Sequence, residues 1–249
     1  MIRTLVVVTL FALGIVFLLP WLILWSLLTG SQDVMYRWSM NAVRTVIGWV
    51  GVRVQVEGRE NIPPGTCVFV ANHVSNLDPL AFAPHIPRRV SLMLKTELFR
   101  IPILAYGMLL AKFISVDRAS RAGAAKSAKL AIRYLRQGLS LAAYPEGTRS
   151  PDGRLGPFRK GTFVVAMQAR VPIVPVSIVG AQHLMRKGEW AIHPGRVTIR
   201  FGAPVEVSPY TAASRPELLA RVHALVAAGL PPEQQPLPRT PATEEPRSA

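Results

Sequence analysis

Two short polar segments, each at the end of an apolar run, hold the residue types with which this chain can do chemistry. The first is Asn72-His73-Val74-Ser75-Asn76-Leu77-Asp78, after the run Thr66 to Ala71. The second is Tyr144-Pro145-Glu146-Gly147-Thr148-Arg149-Ser150, where the run Leu139 to Tyr144 ends. An imidazole held at one nitrogen by a carboxylate can take a proton from a hydroxyl with the other, the logic of a His-Asp pair in acyl transfer. On a continuous helix His73 and Asp78 would project roughly 140° apart, so pairing them requires a turn that leads into a helix. The spacing leaves other readings open. Asp78 before Pro79 equally suits a helix N-cap with proline at the first helical position, and His73 equally suits a structural histidine.

In the second segment Gly147 supplies a flexible backbone and Arg149 a fixed cation able to hold a phosphate by two parallel bonds. Arg118, after Val116-Asp117, and Lys160, before Gly161, extend the set of candidate phosphate partners. Each of these cations is also an ordinary solvated charge in isolation. Lys126, Lys129, Arg133 and Arg136 form a stripe along one helix face, suited to solvent, to anionic lipid or to an acidic acyl carrier.

Other catalytic machinery is missing from the sequence. There is no Gly-x-Ser-x-Gly elbow, no Gly-x-x-x-x-Gly-Lys loop, no His-Glu-x-x-His and no Cys-x-x-Cys. An acyl-serine route, nucleotide hydrolysis and a common zinc site therefore lack support. Direct attack by a hydroxyl deprotonated by His73 needs none of them. The lone Cys67, within Cys-Val-Phe-Val, rules out an intramolecular disulfide and reads as a buried strand residue.

The elements that must position these groups alternate between strands and helices. Val52, Val54 and Val56 alternate with polar residues, as do Val197, Ile199 and Phe201, which reads as half-buried strands. Apolar runs at Thr66–Ala71, Val90–Leu94, Lys112–Val116, Leu139–Tyr144 and Ile173–Val179 read as further strands. Helices are expected from Asp78, over Glu97–Leu110, over Ala122–Gln137 with Gly138 as a left-handed cap, and over Gly161–Ala169. A last helix, with capping-box spacing at Ser214 and Glu217, runs to Ala228. The fold class is α/β, a mixed and mostly parallel sheet flanked by helices.

No charged residue occurs from Thr4 to Gln32, and Leu5 to Leu28 is long enough to span a hydrocarbon core. Gly14 and Pro20 predict a kinked or re-entrant helix. Trp38 to Val50, which carries Arg44, suits an interfacial or hairpin-returning helix. The expected organisation is a membrane anchor at 1–50, a catalytic domain at 51–230 and a disordered, Pro- and Glu-rich tail at 231–249. A net charge of +15 favours anionic partners. Nucleic acid is not expected among them, because no recognisable nucleic-acid module accompanies the charge.

Taken together, the segments resemble the 1-acylglycerol-3-phosphate acyltransferases. Four blocks match in the family's order: Asn72 to Asp78, Phe113 to Arg118, Tyr144 to Ser150, and Val171-Pro172-Ile173-Val174-Pro175-Val176. Phe158-Arg159-Lys160-Gly161 fits a Lys-Gly step between the last two. Tyr144 stands where the family usually has Phe, and Ser115 where an apolar residue is common. The resemblance implies transfer of a fatty acyl group from acyl-CoA or acyl carrier protein to the sn-2 hydroxyl of lysophosphatidate, in phospholipid synthesis. It implies His73 as base and Asp78 as its orienter, with Arg118, Glu146, Gly147, Thr148, Arg149 and Lys160 around the acceptor, and no metal or other cofactor. It places the enzyme on the cell membrane, with the catalytic domain on the cytoplasmic side. Another lysolipid acceptor, such as a lyso-aminolipid, and a non-catalytic anionic-lipid-binding protein are the competing readings.

Overall fold

The N-terminal apolar stretch is helical throughout in a computed structural model whose described residues are 2–117, 120–185, 189 and 191–237. It consists of α1 (Ile2–Leu13), a π-helical turn at Gly14–Leu18, and α2 (Leu19–Thr29). Pro20 has no N–H to return to the preceding turn, and just before it the ladder widens to a bond from the Leu19 N–H to the Gly14 carbonyl. The interruption at Gly14 and Pro20 is thus a π-bulge inside one helical run. This run, Ile2–Thr29, has a window of mean hydropathy 2.7 of which only 6% is buried, and it is long and apolar enough to cross a membrane. Helix α3 (Asp33–Trp49) packs back on α1 and α2 and buries Met35, Tyr36 and Ile47, the returning arm of a hairpin. Two bonds tie the start of α1 to the rest of the chain. Arg3 Nη1 donates to the Val50 carbonyl at 3.1 Å, and the Ile192 N–H donates to Thr4 Oγ1 at 2.9 Å.

The chain then runs β1 (Val52–Glu57), β2 (Val68–Ala71), α4 (Asp78–Phe82), β3 (Val90–Lys95), α5 (Pro102–Leu110), β4 (Ile114–Val116) and α6 (Arg121–Arg136). It continues through β5 (Ser140–Ala143), α7 (Gly161–Ala169), β6 (Ile173–Val179), α8 (Ala181–Leu184), β7 (Gly195–Phe201) and α9 (Arg215–Ala228). The seven strands form one sheet in the order β1-β7-β6-β2-β5-β3-β4. Every neighbouring pair is parallel except β6 and β7. The mixed, mostly parallel sheet expected from the alternation of strands and helices is the observed one.

Each face of the sheet carries its own core. Residues of α3, α4 and α5 cover one face, and residues of α6, α7 and α9 cover the other. Central strand β2 shows why its sequence does not alternate. Phe69 and Ala71 enter the first core while Val68 and Val70 enter the second. Cys67 just before it is fully buried, and burial pushes its thiol up to about 11, so it is a packing residue and not a thiolate.

Three elements depart from expectation for local reasons. Glu97–Leu110 is not one helix: a 3₁₀ turn spans Thr96–Arg100, and α5 starts only at Pro102. Ile101, preceding a proline, is pushed to extended backbone (φ −87°, ψ 108°), which breaks the helix there. The Ser214 hydroxyl does not cap α9; it accepts from the Thr211 N–H at 2.9 Å instead. The disordered tail expected from 231 does not begin there. Gln234 is buried, its carbonyl accepts from the Leu155 N–H at 2.8 Å, and its side-chain oxygen accepts from the Gly180 N–H.

Candidate active site

Strands β2 and β5 are parallel neighbours with Val70 opposite Ala143, so the segments that follow them emerge side by side at the carboxyl edge of the sheet. Asn72 fixes the first segment. Its side-chain amide donates to the Ile178 carbonyl at 2.9 Å and its side-chain oxygen accepts from the Ile178 N–H at 2.7 Å, stitching the end of β2 to β6. His73 is therefore presented from a backbone that cannot swing.

The turn from Val74 to Leu77 then brings Asp78 back onto His73. His73 Nδ1 lies 2.7 Å from Asp78 Oδ2, and the same oxygen accepts from the Val74 and Ser75 N–H groups at 2.7 and 2.8 Å. Asp78 stands in the first turn of α4, but no side chain caps that helix. Its carboxylate points upstream, so the N-cap alternative does not describe it. Ser75 secures the turn, donating from Oγ to the Met185 carbonyl at 2.7 Å and accepting from the Leu77 N–H. The Asp78 side chain is completely buried and His73 is 14% exposed. An ionised carboxylate at Nδ1 holds the ring proton there and leaves the Nε2 lone pair for a substrate proton.

The second segment closes over the first. Glu146 Oε1 accepts from the His73 N–H at 2.7 Å, and Oε2 accepts from the Gly156 N–H at 3.0 Å. The Ser150 N–H donates to the His73 carbonyl at 2.8 Å. His73 is thus held at its backbone N–H, its carbonyl and Nδ1. The Tyr144 ring stacks on the imidazole, with centroids 4.4 Å apart and planes 26° from parallel. Glu146 is 6% exposed, and burial pushes its carboxyl up to about 7; the two N–H groups oppose that rise, and the charges of Asp78 and Asp152 add to it.

These contacts place Glu146 in the framework that holds His73. Both of its oxygens are engaged by backbone N–H groups, and a second anion such as a phosphate would be repelled there. In this arrangement Glu146 ties the His73 backbone to the loop at Gly156. Gly147 has φ +75°, and a Cβ on it would come within 2.9 Å of Arg159 Nε. The left-handed backbone conformation favours glycine, while the Arg159 side chain could shift to admit a Cβ. Arg159, for which the sequence offered no role, donates its N–H to the Pro145 carbonyl at 2.9 Å and so draws the start of α7 against the loop. Lys160 follows at the N-cap of α7, exposed. Thr148 is exposed and Arg149 half-buried on the same loop. Arg118 lies outside the described residues.

The arrangement has one chemical competence. An acceptor hydroxyl at Nε2 would lose its proton to His73, and Asp78 would stabilise the imidazolium that results. Cations on the adjoining loop suit an anionic group on the same molecule. A carboxylate-held imidazole at the edge of a parallel sheet, beside a glycine turn with flanking cations, is the equipment of a group-transfer enzyme.

The chain belongs to the acyltransferase family, whose model, described as Acyltransferase, matches residues 53–179. Among curated proteins it is 32% identical over 196 residues to the 1-acyl-sn-glycerol-3-phosphate acyltransferase of Limnanthes alba, covering 78% of this chain and 69% of that one. It is 30% identical over 195 residues to the enzyme of the same name from Pseudomonas aeruginosa, covering 78% and 75%. Among solved structures it is similar to the 1-acyl-sn-glycerophosphate (LPA) acyltransferase of Thermotoga maritima. There the TM-score is 0.79 at 29% identity, covering 92% of this chain and 93% of that one.

Proposed function

We propose that this chain is a 1-acylglycerol-3-phosphate O-acyltransferase, making phosphatidate from lysophosphatidate and a fatty acyl thioester for phospholipid synthesis. The observation that carries the mechanism is Asp78 Oδ2 on His73 Nδ1 at 2.7 Å, with Nε2 left for substrate. His73 takes the proton of the sn-2 hydroxyl as its oxygen attacks the thioester carbonyl. The tetrahedral intermediate then expels the thiolate, which collects the proton from His73, so one ester forms and one thioester breaks. Arg149 and Lys160, with Arg118, hold the acceptor phosphate. The donor is acyl-CoA or acyl carrier protein.

Membrane residence fits two water-insoluble reactants. Residues 1–50 serve as anchor and residues from 51 onward as the catalytic domain, facing the cytoplasm where the thioesters are. The anchor does not act alone. Leu19 of α2 packs over Gly107 of α5, and beside that contact Leu98, Ile101, Ile103, Tyr106 and Leu109 are exposed apolar residues. A patch of this kind, continuous with the anchor, supports a catalytic domain whose α5 rests in the interface.

The test is an assay of purified protein with lysophosphatidate, a lyso-aminolipid and a neutral lysolipid, each with acyl-CoA and with acyl carrier protein. Phosphatidate from lysophosphatidate in preference to the other products supports the reading. Preferred acylation of a phosphate-free acceptor would overturn it.

A further inference from the structure

Two buried polar atoms beside the His73–Asp78 pair have no hydrogen-bond partner among the described residues, and they are complementary. Asp78 Oδ1 is an acceptor whose companion oxygen takes all three donors, and Tyr144 Oη is a donor. The Tyr144 ring lies flat on the His73 ring, so its hydroxyl projects past one edge of the imidazole. Asp78, at the Nδ1 side of that ring, is completely buried, and its charge acts on the Tyr144 hydroxyl. Both orphaned atoms thus lie buried around the same imidazole.

We infer that Tyr144 is a positioning residue of the catalytic pair, its hydroxyl joined to Asp78 Oδ1 through one buried water that gives both orphaned atoms a partner. An unpaired buried donor and acceptor are each costly, and a single water with two or more polar partners is the common remedy in protein interiors. The phenol remains a donor across the working pH range, because burial, assisted by the Asp78 charge, holds it well above its ordinary value. A fourth donor on the carboxylate spreads its negative charge and weakens its pull on the imidazolium. Tyr144 thereby tunes how strongly Asp78 stabilises the imidazolium formed when His73 takes the substrate proton. This rests on the reading of His73 as the base.

Among the described residues, ionisable groups near the pair include Glu146 in the Tyr144 loop, Asp152 beyond it, and Arg159 across Gly147. Tyr144→Phe keeps the stacked ring and changes none of them. In that variant the acid limb of the kcat/KM profile should move to higher pH by about half a unit. A hydroxyl with only a packing role would leave the limb in place.

A double-mutant cycle on thermal unfolding tests the link without turnover. Tyr144→Phe should lower Tm by about 2–4 °C in the wild-type background and by nearly nothing beside Asp78→Ala. An equal or higher Tm for Tyr144→Phe, or the same drop in both backgrounds, would overturn the inference even with the catalytic reading intact. The expected coupling in a chain with no acyltransferase activity would instead retain the link and remove the catalytic reading.

Discussion

Asp78 Oδ2 receives three donors, one from the His73 ring and two from the N–H groups of Val74 and Ser75 in the turn between them. The oxygen that orients the imidazole thus also shapes the backbone that carries it. The five-residue spacing has a physical meaning here, since it is the length of turn that lets one carboxylate do both.

Asp78→Asn should keep the fold and lose most of the activity. An amide oxygen can stand in for Oδ2 and keep all three donors, but it carries no charge to stabilise the imidazolium that forms on His73. A fall in kcat on the order of 10³-fold is expected, with circular dichroism unchanged. A fall under tenfold would mean that Asp78 is merely structural.

Glu146→Gln separates building the site from binding the acceptor. The amide puts a donor against one of two N–H groups, so kcat should drop about 10–100-fold while the lysophosphatidate KM changes little. The converse pattern would return Glu146 to the acceptor. The same variant carries a stability signature. Because the folded carboxyl is pushed from 4.5 to about 7, chiefly by burial, the folded state holds this proton more tightly than the unfolded chain. Its contribution is fully favourable below about pH 4.5 and is lost as pH rises through about 7, on the order of 3 kcal/mol. Denaturant unfolding of wild type and variant at pH 5 and pH 8 should show the variant gaining ground at the higher pH.

Much of this geometry could be read from the residues, and the part that could not has a common cause. The apolar run of β2, covered on both faces, and Gly138, at φ +87° after α6, are local signals, and they matched. The turn that closes His73 on Asp78 is one of the readings that the spacing leaves open. Glu146 meets the His73 N–H across 73 residues of sequence, and Tyr144 reaches the His73 ring only because β2 and β5 are neighbours. Gln234 looked like tail because its neighbours are Pro and Gln, yet a single buried amide finds partners near β6 and in the loop before α7. Composition and period report which face a residue lies on, not which distant backbone group its side chain will meet.

Arg149→Ala should raise the KM for lysophosphatidate by about tenfold or more and that for the thioester far less, the result of removing a charge-assisted bond to the acceptor phosphate. Lysine at this position should restore only part of the affinity, because it lacks the planar fork. Initial-rate kinetics with each substrate varied in turn would show the split, and equal effects on both constants would count against the assignment.

A spin label can locate α5 relative to the bilayer. Cys67 is fully buried, so a cysteine introduced at Tyr106 would be the reactive one. In vesicles the label at 106 should be accessible to oxygen and shielded from a water-soluble nickel chelate, whereas a label at Lys126 should show the opposite. Equal chelate access at both positions would place α5 in water.

The most direct measurement is acyl transfer by purified His73→Ala, with vesicle co-sedimentation run on the same preparation. Turnover of lysophosphatidate should fall by on the order of 10³-fold or more while membrane binding stays at the wild-type level. Turnover near wild type in a variant that still binds vesicles would contradict the role of His73 as the base.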